Sequence, residues 1–421
     1  MHRMFAALLA AVSCVSVAQA QDIVSAVPSA GPPLTLDQAV AAAGGSAPAA
    51  DAARADITAA EAARTVAGLR PNPTVTTEVE NVVGTGPYSG FRGAEMTVGL
   101  SIPIELGGKR SARIAVADAR TTRVRLAAAI TEADIRLQVT ELYINAVAAD
   151  RRLATALDQA RIASEALNAA RVRVRAGRAS PIEEQRADVT RLNAEAAAEN
   201  ARRLLDAARL NLGRRIGRPV TGQLDPTALD NLPATNGPRL TPIAEGTLAL
   251  AAADADLAVA DAGVRLARSQ RTPDITVGPG VRRFSESDDT AALFSISVPI
   301  PLFNSGRAAV GQASAERNRA EAQRRMTALD VQQAILDVRT EADNAGTNAR
   351  TANGPALAAA QEAARIARIG YREGKFGQLD LLDAERTLAE IRLAAIDALV
   401  AYQNARARLE RLTAPAPEQG N

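Results

Sequence analysis

Chemistry in this sequence must be done by carboxylates, guanidinium groups and a few phenols. The only histidine, His2, and the only cysteine, Cys14, lie among the first twenty residues. The rest of the chain therefore lacks the commonest general base, the commonest transition-metal ligand and the thiolate nucleophile. It has no Gly-rich phosphate loop ending in Lys and Ser or Thr, and no Gly-x-Ser-x-Gly elbow. These absences argue against an enzyme and leave no expected metal site or cofactor. The polar side chains gather instead at two similar turns half a chain apart, VRAGRASPIEEQRADV (residues 174–189) and YREGKFGQLDLLDAER (residues 371–386). Superposing Gly177 on Gly374 places Arg178 on Lys375, Glu183 on Asp380 and Ala187 on Ala384. Ser180, Pro181 and Glu183 read as N-cap, N1 and N3 of a helix, and Asp380 stands three residues after Gly377 in the same way. An acid there complements the free N–H groups and the dipole of the helix it opens.

The elements that position these turns follow from the rest of the chain. Met1 to Arg3 is a charged start, residues 4–12 are apolar and Ala18-Gln19-Ala20 is a small-x-small cleavage site, so residues 1–20 read as a signal peptide. Cys14 as a lipidated first residue is the alternative. Removing the segment takes one arginine and no acid from 49 basic and 47 acidic residues, leaving a nearly neutral chain and arguing against a nucleic-acid partner. No later window approaches the roughly 18 uncharged apolar residues of a spanning helix. Export without a helical anchor leaves the periplasm, the medium or an outer membrane.

The duplication extends beyond the turns. Asn72-Pro73-Thr74-Val75-Thr76 matches Thr272-Pro273-Asp274-Ile275-Thr276, and Ser101-Ile102-Pro103-Ile104 matches Ser297-Val298-Pro299-Ile300. The expected organisation is a flexible start (21–33), a first half-repeat (34–216), a linker rich in turn formers (217–242), a second half-repeat (243–412) and a flexible tail (413–421). Each half carries period-two segments, residues 74–83 with 95–104 and 274–284 with 291–300, each about the length of an outer-membrane strand. Elsewhere the pattern is helical. Residues 108–176 contain no proline, and such a helix reaches about 100 Å. Pro355 is expected to kink its counterpart or start a new stretch.

Four alternating strands cannot close a barrel alone, and unpaired edges in lipid leave backbone groups unsatisfied. If the hairpins are in a membrane, several chains share one barrel; three give about twelve strands and four about sixteen. The plainer reading is a pair of small sheets on a periplasmic coiled-coil scaffold.

The opening LTLDQAV (34–40), the LRPNP junction (69–73), the strands ending SIPI and SVPI, and above all GYREGKFGQLDLLDAERTL (370–388) resemble the TolC-type outer-membrane efflux proteins. The resemblance implies a mainly α fold with β: a long antiparallel α-helical barrel plus a shared transmembrane β-barrel, four strands per protomer, in duplicated halves. It further implies a homotrimer in outer-membrane lipid, working with a periplasmic adaptor (membrane fusion) protein and an inner-membrane efflux pump of the resistance-nodulation-division type. The two similar turns become helix-hairpin tips that close the duct and meet the adaptor, with Gly177, Ser180, Pro181, Gly374, Gly377, Leu379 and Asp380 in the docking turns. Glu183 and Tyr371 match the family's polar gate. Phe376 stands where the family has a basic gate residue, which leaves Arg178, Arg372 or Lys375 as substitutes. ELGGKR (105–110) resembles the cobalt-zinc-cadmium (Czc) type of heavy-metal efflux duct, implying divalent cations as cargo; a multidrug or type I secretion duct is the alternative within the family.

Overall fold

Thr35 opens the first helix with a reciprocal cap: its Oγ1 accepts from the Gln38 N–H (3.3 Å) and its own N–H donates to Gln38 Oε1 (3.2 Å). Helix α1 (Leu36–Ser46) follows, and Pro48, at a first turn where no N–H is needed, opens α2 (Pro48–Ala67). Strands β1 (Thr74–Glu80) and β2 (Glu95–Ile104) form a hairpin. The proline-free run then makes one helix of 67 residues, α3 (Lys109–Arg175), which turns back through α4 (Pro181–Ile216). After the short α5 (Thr227–Asp230), the second half repeats the plan with α6 (Leu248–Ser269), β3 (Ile275–Phe284), β4 (Thr290–Ser297), α7 (Arg307–Thr351), α8 (Leu357–Arg372) and α9 (Gln378–Leu412). Here α7 and α8 are joined by a π-turn, Ala352–Ala356, holding Pro355 and a non-helical Gly354. Gly354 leaves the helical φ/ψ region directly before Pro355, so the rod kinks where the proline was expected to kink it, and α8 starts two residues later. Successive lengths of 45, 5 and 16 residues bring the second rod close to the first.

The structure, a computed structural model, describes residues 32–235 and 243–417. The expected signal peptide, Cys14, nearly all of the flexible start, part of the linker and the last residues of the tail lie outside those described. Among the described residues no helix is long and apolar enough to cross a membrane.

The four strands form one antiparallel sheet in the order β1-β2-β3-β4, so β2 and β3 stitch the halves together. Two strands end earlier than alternation predicted. β1 stops at Glu80 because Asn81 turns left-handed (φ 58°). β4 stops at Ser297, since Pro299 and Pro301 have no N–H for a ladder. The faces divide by chemistry. Val75, Val79, Met96, Val98, Leu100, Val281 and Phe294 are all exposed on one side, where Val75 opposes Leu100 and Thr77, Val98, Val281 and Ala292 form a row across the sheet. The other side carries Glu78, Glu80, Glu95, Thr97 and Arg282. A soluble sheet hides its apolar face; this one presents it outward, as a lipid-facing strand does.

Sheet and rods meet at ELGGKR. Gly107 and Gly108 both take left-handed φ values (70° and 72°), and a Cβ on Gly107 would stand 2.6 Å from Thr272. Arg113 holds Glu105 with both guanidinium nitrogens (Nη2 to Oε2 3.0 Å) and donates to the Leu69 carbonyl (3.1 Å), anchoring α3 to the end of α2. Lys109 pairs with Asp274 (2.7 Å), which also accepts from the Leu106 N–H (3.0 Å). The Arg113 hydrogen bond holds Glu105 below its ordinary range. Burial alone would raise Asp274, but Lys109 and the Leu106 N–H outweigh it and hold it low as well.

A rod this long cannot have one core. The main cluster forms a collar at mid-length, where α1, α3, α4, α5 and α9 meet around Tyr143, Leu212, Leu229, Leu399 and Tyr402, while small alanine-rich clusters line the rest. Fully buried Tyr143 points its hydroxyl between the carbonyls of Leu34 (2.6 Å) and Asp225 (3.0 Å), tying α3 to the start of the described chain. Burial pushes this phenol up to about 12.

Two pH responses follow from these groups. A phenol whose folded value lies above the ordinary value of about 10 destabilises the fold as pH rises through that interval. The melting temperature of detergent-solubilised protein, read by circular dichroism, should fall between about pH 10 and 12. Tyr143→Phe should flatten that slope while costing about 1–3 kcal/mol at neutral pH, because the Asp225 carbonyl loses the hydroxyl and the Leu34 carbonyl keeps only the Asp225 N–H. The depressed Asp274 and Glu105 act oppositely: their contribution is present above about pH 4 and lost as pH falls below it. Asp274→Asn should weaken the acid dependence, and an unchanged acid slope would show the joint contributes none of it.

Candidate functional site

The tips are built by the same backbone device. Gly177 (φ 69°) and Gly374 (φ 71°) each follow the last turn of a long helix in the left-handed conformation. Beyond them the Arg178 N–H reaches the Arg173 carbonyl and the Lys375 N–H the Gly370 carbonyl, both at 2.8 Å; the glycine N–H groups reach Val174 (3.0 Å) and Tyr371 (3.1 Å). This pair of bonds satisfies carbonyls that a helix end leaves open and requires glycine at its centre.

The return helices start differently from each other. At the first tip Ser180 is the N-cap, Pro181 the first helical residue and Glu183 the third, but the Ser180 hydroxyl makes no capping bond. The Glu183 N–H donates to the Ser180 carbonyl (2.9 Å), and its carboxylate oxygen Oε2 is buried without a partner. At the second tip Asp380 does cap, accepting from the Gly377 N–H through Oδ2 (2.9 Å). Phe376 folds back so that its ring covers Gly370, where any Cβ would collide with it. From the turn between the helices the ring thus packs over the last turns of α8 while staying 41 % exposed, and Leu379 is exposed as well.

Tyr371 lies between the hairpins. It is 7 % exposed, its hydroxyl has no partner, and the Arg173 guanidinium stands 4.9 Å from its ring centroid. That distance is within cation–π range. Gln378 completes the link, donating from Nε2 to the Glu183 carbonyl (3.2 Å). Of the residues singled out from sequence, Glu183 and Tyr371 are thus held where the two hairpins meet, whereas Arg178, Arg372 and Lys375 are exposed and form no ion pair among the described residues. The cation the fold brings to Tyr371 is Arg173, which the sequence reading missed. Its one signal is a break in the repeat, since the corresponding position of the second half is Gly370.

Above the tips the hairpins enclose a cleft of about 590 Å³ between α3, α4, α8 and α9, lined by Gln159, Arg368, Tyr371, Arg372 and Glu385 among others. Glu385 is buried and held by Arg368 (Nη2 to Oε2 2.8 Å). Further up, Asp158 accepts from Arg161 on its own helix (2.6 Å) and from Arg392 on α9 (2.8 Å). Burial would raise Asp158, but the two guanidinium groups prevail and lower it.

At the other end of the molecule the polar face of the sheet gathers its charges around one cation. Arg282 pairs with Glu95 (2.7 Å) and Glu80 (2.9 Å) and donates to Thr97 Oγ1 (3.0 Å), with Glu78 across from Thr97. Among the described residues no group of three or more His, Cys, Asp or Glu side chains is placed to hold a metal ion. The arrangement is a charged, solvated wall on one side of the sheet and an apolar wall on the other.

Comparison with known proteins gives these features a family. The outer membrane efflux protein family matches residues 40–218 and 243–414, one span in each half. The chain is 32% identical to the cobalt-zinc-cadmium resistance protein CzcC of Cupriavidus metallidurans, over 98% of this chain and 99% of that protein. It is 28% identical to the nickel-cobalt-cadmium resistance protein NccC of Alcaligenes xylosoxydans xylosoxydans, over 60% of this chain and 57% of that one. Among solved structures CusC, described in connection with transmembrane channel formation, superposes with a TM-score of 0.76 at 18% identity, covering 90% of this chain and 92% of its own. With its mainly helical build, its one small sheet and its duplicated rods, the chain belongs to the outer membrane efflux protein family.

Proposed function

We propose that three copies of this chain form a passive duct from the periplasm through the outer membrane, exporting divalent heavy-metal cations supplied by an inner-membrane pump of the resistance-nodulation-division type through a periplasmic adaptor. The observation that carries this reading is a sheet with an outward apolar face and two bare edges, joined directly to rods of about 100 Å. Because β1 and β4 run in opposite directions, β4 of one copy can pair antiparallel with β1 of the next, and three copies close about twelve strands. Each half-repeat, residues 34–216 and 243–412, supplies one hairpin of strands and one of helices, giving a ring of six similar tips at the inner end. The cargo follows from the resistance named for CzcC and NccC. A duct needs no tight site for its cargo, since selection can rest with the pump.

Gating falls to Glu183 and Tyr371. The Glu183 oxygen and the Tyr371 hydroxyl are buried and unpaired within one chain, and a neighbouring tip can satisfy both. Phe376, occupied with Gly370, takes no part. Adaptor docking falls to the outer surface of the turns, where Gly177, Ser180, Pro181, Gly374, Gly377, Leu379 and Asp380 shape the backbone and Arg178, Arg372 and Lys375 add positive charge.

Deleting the gene should sensitise cells to cobalt, zinc or cadmium, as growth in graded metal would show; unchanged resistance, with no sister duct expressed, would sink the cargo reading. In planar bilayers the protein should conduct. Glu183→Gln combined with Tyr371→Phe should raise resting conductance severalfold, and an unchanged conductance would leave both residues with only structural roles.

A further inference from the structure

The duplication shows which contacts a single chain leaves unmade. Helix α6 lies between α3 and α7 and buries residues from Leu248 to Ala267, whereas α2, its counterpart, packs on α3 and α1 and buries none. Asp256 on α6 pairs with Arg123 on α3 (2.8 Å). Asp56, at the matching place on α2, has no partner, and neither have Arg319 and Arg325 on α7 among the described residues.

The joints between sheet and rods show the same incompleteness. The first joint is seated on the second half: Gly107 fits against Thr272, and Leu106 and Lys109 hold Asp274. The second joint, following β4, is bare on the corresponding side. Ile300 is 76 %, Leu302 79 % and Phe303 fully exposed. The segment that corresponds to Thr272-Pro273-Asp274 is Asn72-Pro73-Thr74, and it is bare too, with Leu69 61 % and Val75 71 % exposed beside it. Each uncovered surface is the counterpart of the other's partner.

We infer that Ile300-Pro301-Leu302-Phe303 of one copy is a wedge that seats on the Leu69–Pro73 turn of the next, with α7 of the first lying along α2 of the second. This rests on the shared barrel proposed above. The contact is head to tail, so it closes a ring rather than a pair. Its chemistry differs from that of the joint inside the chain. Pro301 stands where the first half has Glu105, and Thr74 where the second has Asp274, so the charged clamp is absent. Phe303 and Asn304 lengthen the second joint by two residues, and its side chains are apolar. Burial of Leu302 and Phe303 against Leu69 replaces the ion pairs. Asp56 facing Arg319 and Arg325 adds charge complementarity along the helices.

The test uses the full chain with Cys14→Ser, so that introduced thiols stand alone. Leu69→Cys and Phe303→Cys are placed on two differently tagged copies, co-expressed, and treated in isolated membranes with a short bis-maleimide. A cross-linked dimer carrying both tags is expected, with neither substitution alone giving a product. Links between two Phe303→Cys copies would mean the copies meet face to face and would overturn the wedge. An oligomer by native mass that shows no mixed link would overturn the wedge and leave the ring standing; a monomer would overturn both. Phe303→Asp should lower the temperature at which the detergent-solubilised oligomer dissociates. The residue is fully exposed in the single chain, so the substitution disturbs no packing within it. If Phe303 instead rests in lipid, that temperature stays unchanged while membrane retention falls, and the inference fails.

Discussion

Everything in this molecule depends on the unsatisfied backbone edges of one four-stranded sheet. In water, an exposed strand edge bonds to solvent; in hydrocarbon, each unpaired N–H and C=O costs several kcal/mol. A sheet whose apolar face already points outward is committed to lipid, and its edges must be covered by protein. The even number of strands and the alternating directions make the sheet self-complementary around a ring. The requirement for several copies is thus imposed by hydrogen bonding before any side chain at an interface is considered.

The rods answer a different constraint. A tube about 100 Å long has almost no interior, so its helices cannot be held by a central core. They pack through alanine, with one dense collar around Tyr143 and many ion pairs between neighbours, such as Arg123 with Asp256 and Arg392 with Asp158. Exposed ion pairs of this kind each contribute little, typically about 0–1 kcal/mol. Their number sets register along a long seam, where a slip by one turn would otherwise change little apolar burial.

Much of this was legible in the sequence because it is periodic or local. Alternation marked the strands, the absence of proline marked α3, and two glycines in matching turns marked the tips. Sequence could not show which strands pair across the halves, since β2 and β3 are joined by more than a hundred residues. It misjudged ends where one backbone angle decides, as at Asn81. It singled out Glu183 and Tyr371, which lie where the two hairpins meet, but not Arg173, whose place over Tyr371 depends on how two helices pack. It offered a capping role for Ser180 that the hydroxyl does not perform, and it could not see that Phe376 is taken up by the space over Gly370.

The π-turn at Ala352–Ala356 gives the second rod a property the first lacks. A π-turn takes one residue more than an α-turn to come round the axis. Gly354 leaves the helical φ/ψ region inside it, so the side chains from Leu357 to Arg372 take their direction from this kink and not from the helical phase of α7. Tyr371, beneath Arg173, stands about four turns below that kink, on the helix whose direction the kink sets. The tip is aimed from a distance, by an angle carried intact down a rigid helix.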